Sequence, residues 1–276
     1  MKRGAQGMLN ERYGMNRESE FSYQCNACGR CCHDKVITLA PYDVMTIAEA
    51  AGISTGEAIT RFTLRRGSIL RFTAEGACAA LDGVRCGIHS GRPLACRLYP
   101  LGIERGGREE RFVRLEPAPG SAGIYGNGGT IAAFLENQGV PEYLAMIERY
   151  AALLAIFRKR IGNLVDFEKV EPREFWRRAT REALAESGYD PNPIIDALFD
   201  VGNDVDEHIE ALADLARQSD NADALASAAV LLAVSLGYSP SDAIDGWVVN
   251  AADPHPARDV PPSPSGKRTS GEGVRS

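Results

Sequence analysis

Cys25-Asn26-Ala27-Cys28-Gly29-Arg30-Cys31-Cys32 puts four thiols into eight residues, and Cys78, Cys86 and Cys96 complete the seven cysteines of the chain before position 100. A C-x-x-C step lets two thiolates reach one ion from a tight turn, and Gly29 relaxes the backbone where the chain folds around it. Such density predicts a small module whose cysteines sit on loops and converge on metal. Disulfides are the competing explanation, but they belong mainly to oxidising compartments. The sequence from Met1 to Glu20 offers no apolar signal-peptide core, and an odd cysteine count would leave one thiol unpaired. The expected location is therefore cytoplasmic.

Working outward, a length of 276 residues suits one or two domains of ~100–200 residues each. A net charge of -6 disfavours a general nucleic-acid binder, which would show a basic stripe. The longest apolar stretch, residues 222–236, is interrupted by Asp223 and two serines and falls short of the ~20 residues that span a bilayer. It reads as a buried helix, and no membrane partner is expected.

Residues 36–39 read as a short strand. Pro41 then opens a helix over 42–50, since proline suits the first helical position. Ser54-Thr55-Gly56-Glu57 is a capping-box pattern that starts a second helix ending near Thr63. Strands are expected over 68–73 and 111–115, with a turn-rich segment between Cys86 and Pro100. Past residue 120 the pattern turns helical: 130–137, 141–161, 172–186, 193–216 with a break near Gly202, 222–236, and a short helix opened by Ser239-Pro240. The expected fold class is α+β, a cysteine-rich metal-binding module on loops between short strands and helices, followed by an all-α region. The expected layout is a mobile N-terminus over 1–20, a cysteine-cluster domain over 21–138, a helical domain over 139–252 and a disordered tail over 253–276. The tail reading rests on its richness in Pro, Ser, Gly and charge. A protein partner, if there is one, would use the helical region.

Thiolates are soft ligands that select zinc, copper(I) or iron–sulfur clusters. Adjacent side chains diverge in most backbone conformations, so Cys31 and Cys32 are expected to point apart. One of them would then serve a different site, bridge two ions or stay unligated. Seven thiols exceed the four that one tetrahedral zinc or one simple cluster uses. Two arrangements stay open: two metal sites, the second completed by histidine or another group, or one cluster with thiols to spare. His89, three residues after Cys86, is a candidate for that completion. His33 is read instead as bonding nearby backbone. Arg30 and Lys35 flank the first cluster while Arg92 and Arg97 flank Cys96, where guanidinium groups could offset thiolate charge; Arg97 is the best placed. The candidate ligand set is Cys25, Cys28, Cys31, Cys32, Cys78, Cys86, Cys96 and His89.

The order Cys25-x-x-Cys28-Gly29-x-Cys31-Cys32, Cys78, Cys86-Gly87-Ile88-His89-x-x-Arg92-Pro93-x-x-Cys96-Arg97-x-Tyr99-Pro100 resembles the YkgJ-like CxxCxxCC cysteine-cluster family over roughly residues 23–130. The resemblance implies zinc or iron chelation by these cysteines, and some relatives are labelled iron–sulfur proteins. Flagellin lysine methylases look like distant relatives. Relatives often carry one more cysteine before a Pro-Gly pair; here Ala118-Pro119-Gly120 stands in its place. That departure raises the importance of His89, or of an open coordination position such as catalytic metals use.

Two weaker patterns complete the reading. Residues 120–129 are rich in glycine and fit a flexible connection better than an anion cradle. Asp200, Asp204, Asp206, Glu207 and Glu210, with His208 among them, read as a solvated helical face; Trp176 and Trp247 are expected in the helical core. Two function classes follow. One is a metal-binding protein that holds zinc or iron for structure, storage or transfer. The other is an iron-dependent or iron–sulfur redox or group-transfer enzyme. No nucleophile–base pair or cofactor fingerprint supports catalysis, so chelation is the primary expectation and the enzyme question stays open.

Overall fold

The computed structural model describes residues 14–104, 110–185, 191–241 and Trp247, an α+β arrangement of short strands followed by helices. Strand β1 (Glu20–Gln24) leads into the cysteine loop. Helix α1 (Pro41–Ala51) starts on its proline and stops at Gly52, whose φ of 66° is the left-handed conformation that glycine adopts without strain. Ser54 Oγ accepts from Glu57 N–H at 3.2 Å and caps α2 (Thr55–Phe62). The expected strand over 36–39 shrinks to one bridge, Thr38 to Ile69. Its cross-chain backbone bonds run from Leu39 N–H to Ser68 and from Leu70 N–H to Ile37, while Val36 stands exposed.

Strands of two residues follow. β2 (Thr63–Leu64) pairs with β3 (Ile69–Leu70), and β4 (Leu81–Asp82) pairs with β5 (Arg85–Cys86). A single-turn helix α3 (Leu94–Leu98) precedes the hairpin of β6 (Leu101–Glu104) and β7 (Arg111–Arg114). Residues 124–130, expected within a glycine-rich connection, instead form β8 (Ile124–Thr130), antiparallel to β1 with Tyr23 opposite Tyr125 and Ser22 opposite Gly126. Glycines hide the alternation by which a strand is recognised. What holds this ribbon is its ladder and an aromatic group: Tyr23 lies edge-on to Tyr125 and Tyr99, with centroids 5.2 and 5.9 Å away.

The helical part comprises α4 (Ile131–Asn137), α5 (Val140–Leu164), α6 (Pro172–Ala183), α7 (Pro193–Leu198), α8 (Val205–Gln218) and α9 (Ala222–Ser235). Side-chain caps set the starts of five of them: Thr130 for α4, Glu171 for α6, Asn192 for α7, Asp204 for α8 and Asn221 for α9. The expected break near Gly202 is there, at φ 68°. Helix α9 is buried without interruption from Leu225 to Ala233, because α5, α6 and α7 all pack on it. Trp176 and Trp247 are buried with centroids 4.4 Å apart, as expected. The helix expected over 172–186 ends at Ala183, and residues 1–13 of the N-terminus, most of the helix after Ser239, and the tail with His255 lie outside the described residues. Among the described residues, no helix is long and apolar enough to cross a membrane.

The two parts are interlocked. Buried side chains form one continuous cluster from Phe21 to Trp247. Gly67, in the turn between β2 and β3, lies so close to Phe199 that a Cβ there would fall 2.5 Å from the Cβ of Phe199. Thr55 Oγ1 bonds Asp200 and accepts from Gly202 N–H, joining α2 to the α7–α8 turn.

Candidate metal centre

The cysteine loop turns on two features. Gly29 takes φ 69°, and Cys32 N–H donates to the Gly29 carbonyl at 2.9 Å, closing a 3₁₀ turn over Arg30–Cys32. This turn brings the Cys31 and Cys32 sulfurs to 3.9 Å, correcting the expectation that adjacent side chains would diverge. Two sulfurs bound at about 2.3 Å to one tetrahedral ion stand about 3.8 Å apart, so the pair has the spacing such an ion needs. The preceding stretch is held from outside: Asn26 donates to the Ala122 carbonyl at 2.7 Å, and Cys28 Sγ accepts from Ala122 N–H at 3.4 Å.

The distant cysteines arrive by backbone. Cys78 N–H donates to the Cys32 carbonyl at 2.9 Å. Cys86 lies on β5 opposite Leu81, in the hairpin whose tip, Val84, sits over Gly29; a Cβ on Gly29 would meet the Val84 carbonyl at 3.3 Å. Cys96 is on α3. All seven thiols are free, six half-buried and Cys25 exposed.

Every pair among Cys31, Cys32, Cys86 and Cys96 is close enough for one thiolate to disfavour the other. Cys78 joins through Cys86 and Cys96, Cys25 through Cys86, and Cys28 through Cys31. Burial, then neighbouring thiolates, pushes Cys78 and Cys86 up, and Cys96 to about 12. The bond from the Cys32 thiol holds Cys31 down, to about 6, with help from Lys35 and His33; Cys32 is raised by the same bond and by burial. The pair thus sheds its first proton easily and its second with difficulty. Backbone N–H bonds, from Ala122 first, lower Cys28. Among the described residues, no three His, Cys, Asp or Glu side chains stand close enough to hold one ion as they are. Charge is felt over longer distances than coordination reaches.

The histidines divide. His33 Nδ1–H donates to the Gly29 carbonyl at 3.0 Å, the backbone role expected for it. His89 Nδ1 lies 3.3 Å from Arg92 Nη1, and burial with the Arg92 and Arg97 charges lowers its pKa. Its electrostatic neighbours are these cations. Arg97 departs from the expected role beside sulfur: its donors go to the Arg92, Gln138 and Ser90 carbonyls, and its guanidinium lies 4.5 Å above the Tyr143 ring. It staples the Cys96 segment to the α4–α5 turn.

Asp43 escaped the sequence reading. It is buried, accepts from Ala40 N–H and Leu94 N–H at 2.8 Å each, and so ties the start of the Cys96 helix to the start of α1. Burial raises its pKa to about 6 against the pull of those two N–H groups. An acid at the third position of a proline-started helix was the available signal. The acidic run is partly structural too: Asp204 caps α8, and His208 is buried, with Nδ1 2.8 Å from Tyr150 Oη and Nε2 2.8 Å from the Ala197 carbonyl. His208 therefore does not belong to a solvated face.

Free thiols drawn from separate loops, with burial raising Cys78, Cys86 and Cys96 and the Cys31 and Cys32 sulfurs 3.9 Å apart, are soft donors of the kind that metal-chelating proteins use. More particularly, residues 24–116 match the CxxCxxCC family model, described as "Putative zinc- or iron-chelating domain". That segment is 93 of the 276 residues, and it bears out the resemblance read from the motifs. No curated protein and no solved structure matches the chain.

Proposed function

We propose that this protein chelates zinc or iron through the quartet Cys31, Cys32, Cys86 and Cys96. The carrying observation is that all six pairs among these sulfurs are electrostatically coupled, with Cys31 and Cys32 already 3.9 Å apart. Binding then requires Cys86 and Cys96 to close on that pair. A cation would offset the burial, and after it the mutual repulsion, that hold the Cys86 and Cys96 thiols protonated. Cys78 feels the charge of Cys86 and Cys96, Cys25 that of Cys86, and Cys28 that of Cys31. These three, with His89, are the donors left for a second ion or an enlarged cluster. The module occupies the cysteine-bearing half, the helical half supports it, and the location is cytoplasmic.

Seven thiols against four needed support a second reading, an iron–sulfur centre with redox or group-transfer chemistry. Anaerobic purification, metal analysis, acid-labile sulfide assay and an absorption spectrum separate the two. A colourless protein with one or two zinc ions supports the first; a brown one with iron and sulfide supports the second. Full metal occupancy in a Cys31→Ser/Cys86→Ser double variant would remove the quartet from consideration.

A further inference from the structure

The turn that carries Cys31 and Cys32 has a second side. Arg30, His33 and Lys35, flanking the two cysteines in sequence, line a cleft of about 370 Å³ together with Asp34, Ala118 and Pro119. That size falls within the ~300–1,000 Å³ of small-molecule sites. Among the described residues, the Arg30 guanidinium and the Lys35 ammonium form no ion pair, although the chain as a whole carries a charge of -6. Arg30 runs along the 118–120 wall, its Nε 3.7 Å from where a Cβ on Gly120 would be. The Asp34 carboxylate is packed against Gly76, in the space a Cβ there would take. His33 gives its Nδ1–H to the Gly29 carbonyl, which leaves Nε2 as an acceptor in the neutral ring.

We propose that this cleft binds a small dicarboxylate bearing a hydroxyl group. Arg30 and Lys35 take the two carboxylates, Arg30 as a planar fork and Lys35 as a point charge. The hydroxyl donates to His33 Nε2, and the Ala118–Pro119 wall covers the carbon chain. Inorganic phosphate fits less well, since it has no carbon for that wall and only one charged centre to share between two cations. The site stands whether or not the sulfurs hold metal.

Calorimetric titration of the full chain at low ionic strength, with malate, succinate and inorganic phosphate as probes, tests the assignment. Malate should bind about fivefold more tightly than succinate, for one hydrogen bond, and more tightly than phosphate. Arg30→Gln and Lys35→Gln, both at exposed positions, should each weaken malate about five- to tenfold, with metal content measured in parallel. The preference for malate over succinate should vanish in His33→Ala. The proposal fails if malate gives no saturable heat, if phosphate competes on equal terms, or if the Arg30→Gln/Lys35→Gln double variant binds malate like the parent. A loss of malate binding that only follows loss of metal also defeats it.

Discussion

The cysteine-bearing half and the helical half are held together by opposite means. In the first, the sheets among the described residues are two-stranded and three of the four ladders are two to four residues long, so turns, caps and side-chain-to-backbone bonds fix the chain. In the second, α9 is buried on every side and the large side chains Tyr150, Leu153, Phe157 and Ile161 of α5 are almost wholly enclosed. Burial of apolar area is the stronger force per residue, and the stretch around the first four cysteines, residues 22–38, where little is buried, depends on specific polar contacts. The cysteines sit where the scaffold is weakest in apolar contacts, leaving loops that can adjust around an ion.

The sharpest way to break this contrast is in the helical core. Phe157→Ala should cost about 3–5 kcal/mol, read as a lower urea midpoint for the whole protein, since its cluster runs continuously into the other half. A smaller loss confined to helical signals would mean the halves unfold separately. Next comes the polar anchor of the first half: Asp43→Ala strands the Ala40 and Leu94 N–H groups and should cost about 2–4 kcal/mol. It should also weaken metal retention, because Leu94 starts the helix that carries Cys96.

His208 supplies the pH test. Its folded pKa lies below its ordinary value because burial disfavours the charge. The unfolded chain therefore takes up the proton first, and stability, complete at neutral pH, falls as pH drops through about 6.5 with a slope of at most ~1.4 kcal/mol per pH unit from this group. Comparing His208→Phe with the parent by urea melts at pH 7.5 and 5.5 (the two sides of about 6.5) should show a smaller drop in the variant; equal drops would place the titrating group elsewhere.

The smallest expected stability effect is at the sulfurs. Without metal, Cys32→Ser should shift unfolding by no more than about 1 kcal/mol, since it exchanges one half-buried polar group for another. The same variant should lose most of its bound metal. Uptake of metal by the parent should release protons and strengthen as pH rises, because the raised thiols Cys78, Cys86 and Cys96 are protonated at neutral pH. A pH indicator in weakly buffered solution reads this directly.

Local rules made much of the chain legible. Pro41, Ser54, Thr130 and Gly202 mark helix boundaries through backbone preferences that act wherever the residue stands. Residues 124–130 were illegible because their glycines carry no side-chain alternation, and the partner that makes them a strand lies about a hundred residues earlier. Asp43, His208 and Arg97 were misjudged or missed for a related reason: a polar residue reads as exposed until its partners are known, and theirs lie elsewhere in the chain.

The sequence by itself determined that seven soft donors crowd one end of the chain, that helices fill the other, and where most of those helices start. Only the tertiary structure decided that Cys31 and Cys32 face the same way and that Cys86 and Cys96 come within reach of their charge. The physical reason is range: caps and turns act across a few residues, whereas the approach of the sulfurs depends on a hairpin, a short helix and a buried carboxylate packed from distant parts of the chain.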